Sequence, residues 1–129
     1  MKVVAAVIER DGLTLICQRK AGQRHGGKWE FPGGKVEPEE DLQSALVREL
    51  REELAIAAEI AEEIARYEYA YPGRSPIQLI FFRVTEFRGE PANLIFEEIR
   101  WEKPAKLVEY DFLDGDVDFV KRLAKERSD

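Results

Sequence analysis

One cysteine and one histidine occur in the 129 residues of this chain. A lone cysteine, Cys17, excludes an internal disulfide and a cysteine-based metal cluster. It also fits a reducing, cytoplasmic setting. No apolar stretch approaches the length of a membrane span, so no membrane partner is expected. The N-terminal run Val3 to Ile8 is too short for the hydrophobic segment of a secretion signal, and it meets Glu9-Arg10-Asp11-Gly12 at once. Basic charge is in deficit: 20 Lys and Arg stand against 26 Asp and Glu, a net charge of −6. That balance argues against a nucleic-acid polymer as partner, because such binding displaces counterions with basic surface. A small polyphosphate remains possible if cations bridge it to the protein. Repeats, low-complexity tracts and Pro/Ser linkers are also lacking. A single domain over residues 1–129 is therefore expected, long enough to build its own core.

The pattern that is present alternates strands and helices. Residues 3–9 read as a strand, Asp11-Gly12 as a hairpin turn and Thr14 to Gln18 as the returning strand. Residues 20–28 lack periodicity and contain Gly26-Gly27, which predicts a mobile loop; Trp29 to Pro32 is extended. Leu42, Leu46, Leu50 and Leu54 recur every four residues and predict a helix from about Pro38 to Leu54, with Pro38 and the acidic residues after it at its start. A turn-linked strand is expected within 55–65. Arg66 to Tyr71 and Ile77 to Phe87 read as strands around a Pro72-Gly73 turn, Ile99 to Glu102 as another. Val117 to Lys125 reads as a closing helix with Val117, Val120 and Leu123 or Ala124 inward. The expected fold class is α/β, a mixed sheet between helices.

The chemistry is concentrated in Gly34 to Ile56. Gly34 is followed after five residues by Glu40, after seven more by Arg48-Glu49-Leu50, then by Glu52-Glu53 and Ala55-Ile56. A Glu/Arg-rich helix is ordinarily a solvated face held by i,i+4 pairs, and Arg48 and Glu52 have that spacing. At roughly 100° per residue, however, Glu49, Glu52 and Glu53 share about a third of the helix circumference. Glu49 and Glu53 border the leucine stripe and therefore point toward the protein body, whereas Ser44, Arg48 and Arg51 fall opposite. Like charges so placed repel and lose solvation unless cations neutralise them. Oxygen donors without His or Cys select hard cations, Mg²⁺ or Mn²⁺.

The spacing resembles the Nudix box, Gly-x5-Glu-x7-Arg-Glu-U-x-Glu-Glu-x-Gly-U, where U is a bulky aliphatic residue. Eight defined positions match, a coincidence of order one in ten thousand or less for independent positions. The one departure is Ala55 in place of Gly. The resemblance implies a Nudix-type α/β/α sandwich and metal binding by Glu49, Glu52 and Glu53 with the Gly33 carbonyl. It implies an orienting role for Arg48 and a supporting one for Glu40. The box glycine follows the helix, where φ > 0 is favourable, so Ala55 is expected to cost on the order of 1 kcal/mol without touching a ligand.

Outside the box, Val3 to Ile8, Gln18-Arg19-Lys20, Trp29 to Lys35, Gly89-Glu90-Pro91 and Trp101 resemble the MutT branch. That branch includes 8-oxo-dGTP diphosphatases and CTP pyrophosphohydrolases, which release a nucleoside monophosphate and pyrophosphate. It implies nucleotide contacts from Arg19, Phe31, Tyr71 and Asp116. On the ordinary reading Phe31 and Tyr71 are core aromatics, Arg19 is a surface charge and Asp116 is the N-cap of the closing helix. As an ionised carboxylate Asp116 would accept from a cytosine or guanine amino group; protonated, it would suit a modified purine. Ile95 stands where the branch has an additional glutamate, which makes Glu97 and Glu98 candidates to replace it or plain solvated residues. His25 reads as an exposed bystander or a loop contact, and Cys17 as core. Two further outcomes are compatible with the box: hydrolysis of ADP-ribose or dinucleoside polyphosphates, and a nucleotide-binding module without catalysis. The oligomeric state stays open.

Overall fold

The computed structural model describes residues 1–126; residues 127–129, the end of the single-domain reading, lie outside the described residues. Among the described residues nine strands run as β1 (Lys2–Arg10), β2 (Leu13–Gln18), β3 (Trp29–Glu30), β4 (Gly33–Lys35), β5 (Ala57–Glu59), β6 (Glu63–Tyr69), β7 (Ile77–Val84), β8 (Glu86–Arg88) and β9 (Glu98–Glu102). Helix α1 (Leu42–Leu54) follows β4, and α2 (Val117–Glu126) closes the described chain.

β1 is the axis of the sheet. Val3 to Ile8 is apolar at every position because both faces of the strand are covered. Val4, Ala6 and Ile8 pack with Leu46, Leu50 and Leu54 of α1, whereas Ala5 and Val7 pack with Phe119, Val120 and Leu123 of α2. Asp11 and Gly12 adopt φ of 54° and 77°, as a two-residue type I′ hairpin requires, and return the chain into β2. The main sheet has the order β3-β2-β1-β7-β6, with β4 on the first half of β1 and β9 on β2. β1 and β7 run parallel, while the other named strand pairs are antiparallel. The result is a mixed sheet between helices.

Several elements differ from the sequence reading for identifiable reasons. Helix α1 begins at Leu42, not near Pro38, because Asp41 is the N-cap and accepts from the Ser44 N–H at 2.7 Å. Glu39, at φ 66°, turns the preceding segment away from the helix axis. The run Ile77 to Phe87 divides at Thr85, since β7 belongs to the main sheet and β8 pairs with β5 in a separate two-stranded ribbon. β6 starts at Glu63 and ends at Tyr69, upstream of the expected 66–71. In α2 Phe119 takes the buried position beside Val120, Leu123 and Ala124, leaving Val117 only half-buried. The 20–28 loop, read as mobile, is stitched internally. Gly26 N bonds Gln23 O, Gly27 N bonds Arg19 O, and the Gln18 amide reaches Gly27 O, all at 2.9–3.1 Å.

Candidate active site

A cleft of about 800 Å³ opens between α1 and the 20–28 loop, over the edge of the sheet. At one end stand Gly33, Gly34, Glu49 and Glu53; at the other, Arg19, His25, Glu30, Phe31, Tyr71, Arg74 and Asp116.

The acidic end is organised by two glycines and one arginine. Gly33 has φ 153°, and a Cβ there would lie 2.0 Å from the Val4 carbonyl oxygen, so β4 can hug β1 only with glycine. A Cβ on Gly34 would lie 2.6 Å from the carboxyl carbon of Glu49, which is pressed against the strand. Arg48 bends back over the helix start. Its Nε and Nη2 donate to the two oxygens of Glu40 at 2.8 and 3.0 Å, Nη2 also to Lys35 O, and Nη1 to Glu49 at 3.0 Å. These bonds, with the Glu37 N–H, hold the Glu40 carboxyl down to about 2. Arg48 therefore does not lie opposite the carboxylates as the helical projection suggested. The length of its side chain carries it across to them.

The three box glutamates that lie in α1 are not equivalent. Glu53 is 8% exposed and the Glu49 side chain 14%, whereas the Glu52 side chain is 57% exposed and its nearest cation is Arg48 at 3.5 Å. Glu53 accepts from the Gly33 N–H at 3.2 Å and its carboxyl lies beside that of Glu49. Burial, then Glu49 and Glu30, push the Glu53 carboxyl far above its ordinary range. Two buried carboxyls in contact hold a proton between them when nothing else neutralises them, and a hard divalent cation is the alternative to that proton. The donor set therefore fits such a cation at Glu49, Glu53 and the Gly33 backbone. Among the described residues no three carboxylates close around one point; Glu52 stands on the solvent side of the pair.

The other end is aromatic. Phe31 is buried, with its ring centroid 5.2 to 5.9 Å from those of Phe81, Phe112 and Phe119, and it is both core and cleft wall. Tyr71 is half-buried and its hydroxyl accepts from the Gly115 N–H at 3.0 Å. Arg19 is no free surface charge: Nη1 donates to both oxygens of Glu30 at 3.1 and 3.3 Å, and Nε to Arg24 O at 3.0 Å. Asp116 ends a 3-10 turn (Asp114–Asp116) that runs directly into α2, and its carboxyl is buried in the cleft wall. Burial first, then the Glu30 charge, with Arg19 opposing, push Asp116 up to about 8. Burial also raises Glu30. One arginine thus serves two buried carboxyls, which favours a neutral Asp116 at pH 7.

Glu30 is a cleft residue that the sequence reading overlooked, as are Arg24 and Arg74. The signal for Glu30 was a carboxylate between two apolar aromatics, Trp29 and Phe31, on a short strand. Ile95 and Phe96 line the cleft, whereas Glu97 is exposed and Glu98 pairs with Arg100 at 2.5 Å. Cys17 is buried in the core, as expected.

Comparison with known proteins identifies the family and the fold. The model of the NUDIX domain matches residues 1–123. A protein of Escherichia coli K12 named CTP pyrophosphohydrolase is 40% identical over 128 residues, covering 99% of this chain and 94% of its own. One of Haemophilus influenzae named 8-oxo-dGTP diphosphatase is 35% identical and covers 98% and 93%. Among solved structures, that of the E. coli ORF135 protein superposes with a TM-score of 0.87 at 39% identity, over 98% of this chain and 90% of that one.

Proposed function

The chain belongs to the NUDIX family, and on that premise we propose that it is a divalent-cation-dependent nucleoside triphosphate pyrophosphohydrolase of the MutT type, acting on cytidine nucleotides ahead of 8-oxo-dGTP. The products would be a nucleoside monophosphate and pyrophosphate. The observation that carries this reading is the two-ended cleft: a buried carboxyl pair at one end, and at the other an aromatic pocket with a buried hydrogen-bonding acid. The names of the relatives from E. coli and H. influenzae support the same pair of substrates.

Glu49, Glu53 and the Gly33 backbone would hold Mg²⁺ or Mn²⁺, with Glu52 completing the set from the solvent side. A bound cation of this class supplies charge neutralisation at phosphate oxygens and acidifies a bound water. The chain's own contribution is positioning. Arg48 fixes Glu49 and lies within reach of Glu52, while Gly33 N–H holds Glu53. Glu53 and Glu52 would be the carboxylates that accept a proton from attacking water once the pair is neutralised. Glu40 keeps Arg48 in place.

Base choice follows from protonation. A neutral Asp116 offers one donor and one acceptor, which complements the acceptor N3 and amino donor of cytosine. The Watson–Crick edge of an oxidised guanine presents adjacent N–H donors and suits an ionised acid instead. The sequence reading pairs the forms the other way, the ionised acid with a cytosine or guanine amino group and the protonated acid with a modified purine. The intact box carboxylates weigh against a binding module without catalysis.

The test is a panel of nucleoside triphosphates, including CTP, dCTP, 5-methyl-dCTP and 8-oxo-dGTP, assayed with Mg²⁺ for pyrophosphate release between pH 6.5 and 9. Cytidine nucleotides should lead at neutral pH, and their advantage over 8-oxo-dGTP should shrink as pH rises through about 8. No turnover on any of them would overturn the proposal, and a pH-independent preference would overturn its account of the base.

A further inference from the structure

His25 belongs to the cleft but has no part in the reading above. It sits on the loop between β2 and β3 at φ 60°, a left-handed conformation that is unfavourable for a residue with a side chain. Its ring centroid lies 4.9 Å from that of Tyr71, with the planes inclined at 40°. With Arg24, Tyr71 and Arg74 it forms the outer wall of the base end. Its Nε2 is enclosed and has no hydrogen-bond partner. The loop is held in this arrangement from both sides: Arg19 Nε bonds the carbonyl of Arg24, and Lys28 N bonds the carbonyl of His25 itself.

Strained backbone and an enclosed, unsatisfied polar atom in the same residue are not features that stability selects. Both are accounted for if the ring turns toward the cleft when a ligand supplies the missing partner. Burial, then the charges of Arg24 and Arg19, with Arg74 adding to them and Asp114 opposing, lower the pKa of the imidazole. A neutral ring of this kind can donate or accept through Nε2 according to its tautomer, and it adds no charge to a rim that already carries Arg24 and Arg74.

We propose that His25 is a nucleotide-contacting residue, its ring walling the base end of the cleft with Tyr71 and its Nε2 bonding a polar atom of the nucleoside half of the substrate. This rests on the nucleotide reading above. The partner atom is a hydroxyl of the sugar or a polar atom of the base edge, since Asp116 and Phe31 occupy the deep end. Arg19 then acts as a positioning residue for the loop, because its bond to Arg24 O fixes the residue just before His25.

Three variants test the proposal: His25→Phe keeps a ring against Tyr71 and removes the polar atom, His25→Gln returns a donor and acceptor, and His25→Ala removes both. Steady-state kinetics with CTP and dCTP are combined with calorimetric binding of cytidine monophosphate and inorganic pyrophosphate. For the Phe variant, KM for CTP and the dissociation constant for cytidine monophosphate should each rise about tenfold, the worth of one hydrogen bond. Pyrophosphate binding should not change, kcat should move by less than about twofold, and Gln should restore most of the loss. A defect seen with CTP but not dCTP assigns the bond to the 2′-hydroxyl; a defect with both assigns it elsewhere on the nucleoside. Unchanged cytidine monophosphate binding in the Phe variant, or equal weakening of pyrophosphate, would overturn the proposal and leave His25 a packing residue of the loop. Wild-type protein that turns over no nucleotide would instead sink the nucleotide reading, and the two failures are distinguishable in the same experiment.

Discussion

The two ends of the cleft grow from two different cores. The acidic end is carried by α1, whose leucines pack on an aliphatic cluster of Val4, Ala6, Ile8, Leu15, Ile80 and Val84. The base end is an opening in an aromatic cluster, in which the Phe31 ring lies against those of Phe81, Phe112 and Phe119 and Phe81 stacks on Phe119. Each core also buries one acid that it raises: Glu53 on the α1 side, Asp116 on the α2 side. The difference lies in what relieves them. Glu53 faces a second carboxyl and calls for a cation, whereas Asp116 shares Arg19 with Glu30 and can stay neutral. A sheet buried on both faces lets one strand, β1, support a site for phosphate and a site for a base without either compromising the other's packing.

The strongest way to break that contrast is at Glu53. Glu53→Gln should lower kcat by about 10²-fold or more, roughly 3 kcal/mol of transition-state stabilisation. It should also raise the urea midpoint of the ligand-free protein, because a buried acid pressed against Glu49 becomes a neutral amide. Glu52→Gln, on the exposed side, should lose comparable activity with no such gain in stability. EDTA should abolish activity in the wild type, and Mg²⁺ or Mn²⁺ should restore it. Full turnover in chelator, or a Glu53→Gln enzyme of normal rate, would remove the distinction between the two ends.

Asp116 gives the next effect. Asp116→Ala should reduce kcat/KM for the preferred nucleotide by about 1.5–3 kcal/mol, and for poor substrates by much less. Asp116→Asn retains a donor and an acceptor and should keep cytidine nucleotides as substrates. Stability supplies an independent measurement. A carboxyl whose folded pKa is raised from 3.8 to about 8 favours the folded state while protonated, so stability should fall as pH rises between those values. The Asn variant should lack most of this slope and be more stable than the wild type at pH 8, by about 1–3 kcal/mol, with the advantage fading toward pH 4. Parallel pH profiles for the two proteins would show that Asp116 ionises freely.

The acidic end could be read from the chain because its residues lie within one helical segment, where the four-residue leucine period and the box spacing coincide. Its internal ranking could not. Glu52 and Glu53 are adjacent in sequence, and only the packing of β4 against α1 makes one buried and the other exposed. The base end is dispersed: Arg19, Glu30, Tyr71 and Asp116 meet only through the sheet, so spacing gives no sign of the Arg19–Glu30 pair. β4 itself was invisible, since Gly33–Lys35 has no apolar alternation and is a strand solely because two glycines allow close approach to β1.

The smallest expected effect separates architecture from chemistry. Ala55 caps α1 at φ 58° and ψ 33°, donating to Arg51 O, so the box glycine's conformation persists without the glycine. Ala55→Gly should relieve left-handed strain but add freedom to the unfolded chain, a net stabilisation of about 0.5–1 kcal/mol by urea titration. Activity at both ends of the cleft should be unaltered. A change in kcat would show that the helix exit reaches the carboxyl pair.

The parallel pairing of β1 with β7 bears on how the molecule is made as well as on its final form. Lys2 pairs with Gln78 and Ile8 with Val84, so every rung joins positions 76 apart in the chain. Contacts of that separation are entropically expensive to close and slow the folding search. During synthesis the first strand must wait, unpaired along one edge, until the seventh has left the ribosome. Both cores share that strand, so the two halves of the cleft should acquire their shape in a single late step, and a chain halted before Val84 should have neither.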